Sequence, residues 1–311
     1  MPNRKIILAG GAGLVGLNLL LELKQRGFDN IIVLDKHAAN IEIARSVFPN
    51  VEFINADLSV AGLWQLTLKE ARCVVMLQAQ IGDLTSEAFE RNNVVSTQRV
   101  IESCKQHHVP YIVHVSSSVV HSVANDDYTN TKRRQEMLVQ ESGIHHVILR
   151  PTLMFGWFDR KHLGWLARMM KKFPLFPIAG HGKYMRQPLY VRDFCRIIVS
   201  CIQKETSGMF NITGFEKIDY IDMIRDIKHA TGSKSWIVKV PYSLFFCLLK
   251  VWSWVDRDPP FTTDQLRALV ACDEFEVIDW PTLFNVKNTV WKNALQETFN
   301  DARYSNVELD F

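Results

Sequence analysis

The sequence predicts an α/β fold: a doubly wound parallel sheet followed by a smaller C-terminal α/β domain. Three observations predict it. Apolar, strand-length runs alternate with helical patterns from residue 5 to about residue 150, which implies parallel strands covered by helices on both faces. A glycine-rich turn, GGAGLVG at 10–16, stands between the first strand and the first helix. The composition is globular, with 311 residues, 47% hydrophobic and 22% charged. Such a chain buries a sizeable core without staples, and it is not disordered, collagenous or coiled-coil throughout.

Each element follows from its pattern. Lys5–Ala9 (KIILA) is a buried strand, and Val15–Arg26 carries apolar residues at helical spacing. Asn30–Asp35 is the second strand, Ile41–Val47 a short helix and Val51–Ala56 the third strand. Cys73–Leu77 is a strand, and a single helix is expected from about Ser86 to Gln106. Tyr111–Ser116 is a continuous apolar strand, Asp127–Ser142 a helix and His146–Arg150 a strand. The pattern then changes. Residues 157–186 are aromatic, basic and interrupted by glycine and proline, and predict an irregular segment. Asp193–Lys204 (helix) and Gly208–Thr213 (strand) return the chain to the sheet, and short helices and turns are expected from Asp219 onward.

Whole-chain properties exclude several functions. Thirty-six basic against 33 acidic residues leave a net charge of only +3, so no nucleic-acid partner is indicated. Six cysteines are scattered singly, without a CxxC pair; zinc ribbons and redox dithiols are excluded, and reduced thiols in a cytoplasmic protein are expected. The ten histidines form no metal-ligand spacing, so no metal is expected. The first apolar run is too short for a secretory segment, and no stretch reaches the length of a membrane span.

The glycine turn is the first candidate site. Gly10, Gly13 and Gly16 permit a tight turn and let backbone N–H groups approach a pyrophosphate at the helix N-terminus. Asp35, about twenty residues on, ends the second strand. A carboxylate there accepts hydrogen bonds from an adenosine ribose and repels a 2′-phosphate, which favours NAD over NADP. Lys36 beside it softens that preference. Asp57, after the third strand, either reaches the adenine edge or caps the following turn.

The second candidate site is a Ser–Tyr–Lys constellation. Tyr128 and Lys132 stand at i and i+4 on one helix face. An ammonium there is expected to lower the phenol pKa, so that the phenol exchanges a proton with a hydroxyl or carbonyl near neutral pH. Ser116, Ser117 and Ser118 lie at the carboxyl end of the preceding strand, where open α/β sheets bind ligands.

With these residues placed, the chain resembles the extended short-chain dehydrogenase/reductase family, the NAD-dependent epimerase/dehydratase group. VMLQAQIG at 75–82, NVVST at 93–97, VSSSVVHS at 115–122 and LRPTLMFG at 149–156 resemble its segments, as do GHG at 180–182 and RQPLYVRD at 186–193. The resemblance covers roughly residues 4–215. It implies a Rossmann domain at 1–152 and 187–215, with a substrate-binding domain at 153–186 and 216–311. It further implies that Ser117 orients the substrate oxygen, Tyr128 is the acid/base and Lys132 its partner. Gly10, Gly13, Leu14, Val15, Gly16, Asp35, Asp57, Leu58, Gln78, Ala79 and Asn93 would line the NAD path, together with Tyr128 and Lys132. Ser118 and Arg186 would meet a small-molecule substrate, Arg186 through a phosphate as in nucleotide-sugar members. Dimerisation through 86–106 and 127–142 is implied too.

Four departures weaken the nucleotide-sugar assignment. The family's VYG is Val120-His121-Ser122, the Ser117–Tyr128 interval is short, Leu153 replaces an asparagine and Gln78 replaces a small residue. The stretch 176–191 also resembles an atypical branch containing the reductase-like accessory subunit of respiratory complex I.

Three functions are thus carried forward. The first is an NAD-dependent epimerase, dehydratase or dehydrogenase. The second is a nucleotide-loaded scaffold at a membrane or in a complex. The third is a reductase of a hydrophobic alcohol or ketone, which the aromatic-rich segment 153–176 fits. Residues 241–255 (PYSLFFCLLKVWSWV) are apolar nearly all round and read as a buried helix closing the substrate domain. The alternative is an interfacial helix making peripheral membrane contact. Arg160, Lys161, Arg168, Lys171 and Lys172 form either a solvated face or an anion-binding cluster.

Overall fold

The apolar runs form strands because helices cover both of their faces. The protein, described as a computed structural model over residues 5–82, 85–122, 126–255, 263–270 and 276–310, begins with β1 (Lys5–Ala9), α1 (Leu14–Gln25), β2 (Ile31–Asp35), α2 (Ala38–Val47) and β3 (Glu52–Asn55). β4 (Ala71–Met76), α3 (Ser86–Phe89), α4 (Ser96–Gln106), β5 (Tyr111–Val115), α5 (Asp127–Gln140) and β6 (His145–Pro151) complete the first half. β7 (Met154–Phe155), α6 (Leu163–Lys172), β8 (Leu175–Ala179), β9 (Met185–Arg186) and β10 (Leu189–Tyr190) follow. α7 (Val191–Lys204) and β11 (Gly208–Ile212) then rejoin the sheet.

The main sheet has seven strands in the order β11-β6-β5-β4-β1-β2-β3, and every pairing is parallel. β1 lies centrally, with Ile7 beside Ile32 of β2 and Val74 of β4. The chain winds outward to β3 and then crosses to β4 on the other side of β1. That reversal leaves a crevice beyond the strand ends between β1 and β4, the usual ligand position in such sheets. Ile6 and Leu8 enter one apolar cluster with α1 and α7, while Ile7 and Ala9 enter a second with Val100 of α4 and Val139 of α5. Each fully buried Leu or Ile contributes about 1.5–3 kcal/mol.

The remainder is β12 (Ile218–Asp219), α8 (Tyr220–Thr231), β13 (Trp236–Val240), α9 (Tyr242–Val255), α10 (Thr263–Val270), α11 (Trp280–Phe284) and α12 (Trp291–Asn300). A third cluster joins Leu163, Ala167 and Met170 of α6 to Ile224, Ile227 and Leu295. Trp280, Phe284 and Leu309 instead pack into the first cluster. There Tyr304 meets Trp157 at 4.8 Å between ring centroids, and the Asp310 N–H donates to Asn40 Oδ1 at 2.7 Å. Arg192 of α7 donates to Glu22 of α1 and Glu297 of α12, with its guanidinium 4.8 Å from the Trp157 ring.

Four sequence expectations need correction. The helix expected over Ser86–Gln106 is interrupted by a π-helical turn at Glu90–Val95, where buried Asn93 is held by bonds on both sides. Residues 157–186 are not irregular: α6 forms because Leu163, Ala167 and Met170 share one buried stripe, and β8 follows it. After Asp219 the chain makes a 12-residue helix, α8, and a strand, β13, beyond short helices and turns. The helix at 241–255 is not buried, since Leu244, Leu248, Val251 and Trp252 are all exposed. Among the described residues these four side chains each keep more than half of their surface open. The side chain of Trp254, the residue Cys272 and part of the Ser117–Tyr128 interval lie outside the described residues.

Candidate active site

Glycine is required in the β1–α1 turn because atoms already occupy the places of side chains. Gly10 has φ +75°, and a Cβ there would lie 2.5 Å from Gln78 Cα. A Cβ on Gly16 would lie 2.1 Å from the Gly11 carbonyl oxygen. Gly11, which the spacing argument passed over, is as tight: its Cβ would be 2.8 Å from a Val33 methyl. Gly13 differs, because a Cβ there would meet nothing within 4 Å. It precedes α1 with no side-chain cap, and the first turn of α1 carries no acidic residue. The helix therefore presents uncapped N–H groups and the positive end of its dipole beside open space, which suits an anion. Leu14 and Val15 are half-buried against the first cluster.

Asp35 holds this turn together. Its Oδ2 accepts from the Ala12 N–H at 2.9 Å and its Oδ1 from the His37 N–H at 2.9 Å. A carboxylate has about four lone-pair sites, so capacity for a ribose hydroxyl remains. Asp57 accepts from the Ser59 N–H at 2.9 Å, the Ser59 hydroxyl at 2.6 Å and Arg91 at 2.5 Å. Burial pushes its carboxyl up, but Ser59, Arg91 and Lys36 together hold it below the usual value. The local turn-capping role is thus realised. Leu58 is buried in the second cluster.

Across the crevice, Gln78 is buried against Gly10 and Ala79 is exposed. Asn93 Oδ1 accepts from the Gln80 N–H at 2.6 Å, and its amide donates to Thr131 at 3.0 Å. Asn93 thereby ties the loop after β4 to α5.

The Ser–Tyr–Lys group is assembled where β5 ends. Ser117 accepts from the Val119 N–H at 3.4 Å, opening a short 3-10 turn at Ser118–His121, and its side chain is hydrogen-bonded to Tyr128. Asp126 caps α5 by accepting from the Thr129 N–H at 2.8 Å. Tyr128 is therefore held in the first turn. Lys132, one turn on, is fully buried and donates to the Val115 carbonyl at 3.0 Å.

The electrostatics correct one expectation. Burial raises the Tyr128 phenol above its usual value; the Ser117 bond opposes this and Asp126 adds to it. Burial also lowers Lys132 to about 7, with Glu136 pulling the other way. Lys132 does not depress the phenol in this state, because desolvation acts on both groups. At neutral pH Tyr128 is a proton donor and Lys132 is shared between its two forms.

Arg186 lies apart from this group, in β9, and donates to the carbonyls of Met185 and Leu269. Ser118 is buried as the first residue of the 3-10 turn. His121 packs between Asn211 at 3.0 Å and Arg150 at 3.2 Å. Sequence reasoning missed three buried neighbours. Glu136 holds Arg150 through two bonds of 2.8 and 2.6 Å. Gln135 donates to the Asn93 carbonyl at 3.0 Å and Thr97 at 2.7 Å. His114 is fully buried, and burial, followed by the charge of Lys132, holds it well below its usual value. Glu136 and Gln135 follow Lys132 on the same helix, which was the available signal.

A UDP-glucose 4-epimerase of Vibrio cholerae is 24% identical over 287 residues, covering 83% of this chain and 85% of that protein. A ceramide reductase of Caulobacter vibrioides is 21% identical over 274 residues, covering 86% and 84%. The solved UDP-glucuronic acid 4-epimerase of Bacillus cereus, in complex with UDP-glucuronic acid and NAD, superposes with a TM-score of 0.74 at 21% identity, covering 96% of this chain and 98% of that one. That likeness establishes the fold. The resemblance to the complex I accessory branch receives no support. The model of the NAD dependent epimerase/dehydratase family matches residues 6–213, the span holding the glycine turn, Ser117, Tyr128 and Lys132, and the chain belongs to that family.

Proposed function

We propose that this protein is an NAD-dependent enzyme that moves hydride to or from a carbon bearing a hydroxyl or keto group, on a nucleotide sugar. One observation carries the proposal: Tyr128 is hydrogen-bonded to Ser117 beside buried Lys132, in the family whose model spans these residues. The uncapped α1 N-terminus beside Gly13 fits a dinucleotide pyrophosphate. NAD, when bound, supplies the hydride acceptor and donor. Gly10, Gly13 and Gly16 hold its pyrophosphate, Asp35 its adenosine ribose and Lys132 its nicotinamide ribose. Tyr128 gives or takes the proton of the substrate oxygen, which Ser117 and Ser118 orient. Arg186 is assigned to a substrate phosphate. The nucleotide-sugar class is supported by the UDP-glucose and UDP-glucuronic acid epimerases, whose names give those substrates.

The portions 153–186 and 216–311 serve as the substrate-binding domain in this reading. Homodimerisation through 86–106 and 127–142 belongs to it, supported by the exposed Met137 on α5. So does a cytoplasmic location, supported by five free cysteines among the described residues. Peripheral membrane contact through 241–255 is supported by the solvent-facing apolar side chains of α9. Among the described residues no helix is long and apolar enough to cross a membrane.

The ceramide reductase favours a second reading, reduction of a hydrophobic ketone. Two assays separate them. Mass spectrometry of the denatured protein identifies the retained nucleotide. Incubation with UDP-glucose or UDP-glucuronic acid, followed by chromatography, detects a new UDP-sugar. Conversion supports the nucleotide-sugar reading. Reduction of a long-chain keto lipid alone supports the second. Neither reaction, with no nucleotide bound, refutes both.

A further inference from the structure

In the C-terminal half, apolar side chains are exposed on the β8–β13 strand pair and on α9, which follows β13 in the chain. β8 and β13 pair in parallel, with Leu175 opposite Trp236 and Pro177 opposite Val238. Strand alternation sends Phe176 and Ile178 into the third cluster and turns Leu175, Trp236 and Val238 outward, Trp236 at 74% exposure. Pro241 leads from β13 directly into α9. There Leu244, Leu248, Val251 and Trp252 are each more than half exposed. Their spacing places them on one side of the helix.

Charge identifies what covers this face. The sequence holds no acidic residue between Asp159 and Asp193, nor between Asp226 and Asp256. Those two stretches contain the whole face. Lys171, Lys172 and Lys234, which precede the two strands, are exposed within them, whereas Lys239, registered with Ile178, and Lys250, about half a turn round α9 from Leu248, stand on other sides. A second copy would set lysines against lysines. An anionic lipid surface meets both properties, because Trp and Leu enter the acyl boundary while lysine stems reach the phosphates. The 14 residues of α9 span about 21 Å at 1.5 Å each, short of the roughly 30 Å hydrocarbon core, so the helix lies in the interface plane.

We infer that the β8–β13 strand pair and α9 together form a docking face for an anionic phospholipid bilayer. The inference rests on the peripheral-contact reading of 241–255 and adds to it the strand pair and the requirement for lipid charge.

Vesicle co-sedimentation of the full chain tests it. The vesicles are phosphatidylcholine alone, or phosphatidylcholine mixed equally with phosphatidylglycerol. The expected result is pelleting with the mixed vesicles at low salt, weakened by high salt, and none with phosphatidylcholine. Trp236→Ser with Leu175→Ser, Leu248→Glu with Trp252→Glu, and Lys172→Gln with Lys234→Gln should each lower binding by about tenfold or more. Circular dichroism and nucleotide retention show that each variant is folded. Undiminished binding by the Trp236/Leu175 variant overturns the strand-pair inference while leaving the helix contact standing. Equal binding to phosphatidylcholine overturns the requirement for lipid charge. No pelleting, or a dimer in sedimentation velocity that Leu248→Glu abolishes without vesicle binding, overturns both readings.

Discussion

The glycine turn and the start of α5 face the same crevice and are built in opposite ways. The turn offers backbone alone, and at Gly10 and Gly16 any added atom collides with protein. α5 offers side chains, two of which are displaced from their ordinary ionisation by burial. The first region is therefore vulnerable to volume and indifferent to pH. The second is sensitive to charge as well as to packing. A binding surface for a fixed anion needs only position, whereas a group that passes a proton must sit between two protonation states.

The largest effect should come from filling the turn. Gly16→Val puts carbon against the Gly11 backbone and should cost more than about 4 kcal/mol, leaving little soluble protein. A urea midpoint near wild type would break the comparison at its steric end. Next is Tyr128→Phe, which keeps the ring and removes the proton. Turnover should fall by roughly 10²–10⁴-fold with nucleotide retention unchanged. Parallel loss of both would show that the phenol acts through binding.

Lys132 tests the charge end. Its folded value of about 7 lies below the 10.5 usual for a lysine in water. Between those pH values the unfolded chain holds a proton that the folded chain releases, so stability rises with pH across that window. The burial penalty is complete below pH 7 and shrinks above it. Lys132→Met should therefore be more stable than wild type at about pH 6, and the advantage should shrink towards about pH 10. Urea denaturation without added nucleotide measures this, and a pH-independent difference would deny that Lys132 titrates as described. The smallest effect is expected at Gly13, where a Cβ has room. Gly13→Ala should shift stability by under about 1 kcal/mol and weaken nucleotide binding about tenfold, equivalent to roughly 1.4 kcal/mol. Calorimetric titration would read it.

Legibility followed the same physics. β1, β2 and β5 were readable because a strand buried on both faces must be apolar throughout, and the glycine turn because its spacing belongs to a strand–helix junction. Tyr128 and Lys132 were readable from helical spacing, but their ionisation was not, since desolvation depends on what β5 and the 3-10 turn bring against them. The π turn at 90–95 was hidden because Asn93 is fixed by Gln80 and Thr131, partners remote in sequence. α6 was detectable from Leu163, Ala167 and Met170, yet the surrounding basic and aromatic residues masked that stripe. α9 was misread because an all-round apolar helix looks buried wherever it lies; only the elements packed against it decide.

The packing of Trp280, Phe284 and Leu309 into the first cluster bears on biosynthesis. Domains generally fold as units while the chain is still emerging. Here the sheet face carrying α1 and α7 cannot close until residue 309 has left the ribosome, although its first strand was made some three hundred residues earlier. That side of the sheet is thus completed only after the last of its strands, β11, has been made.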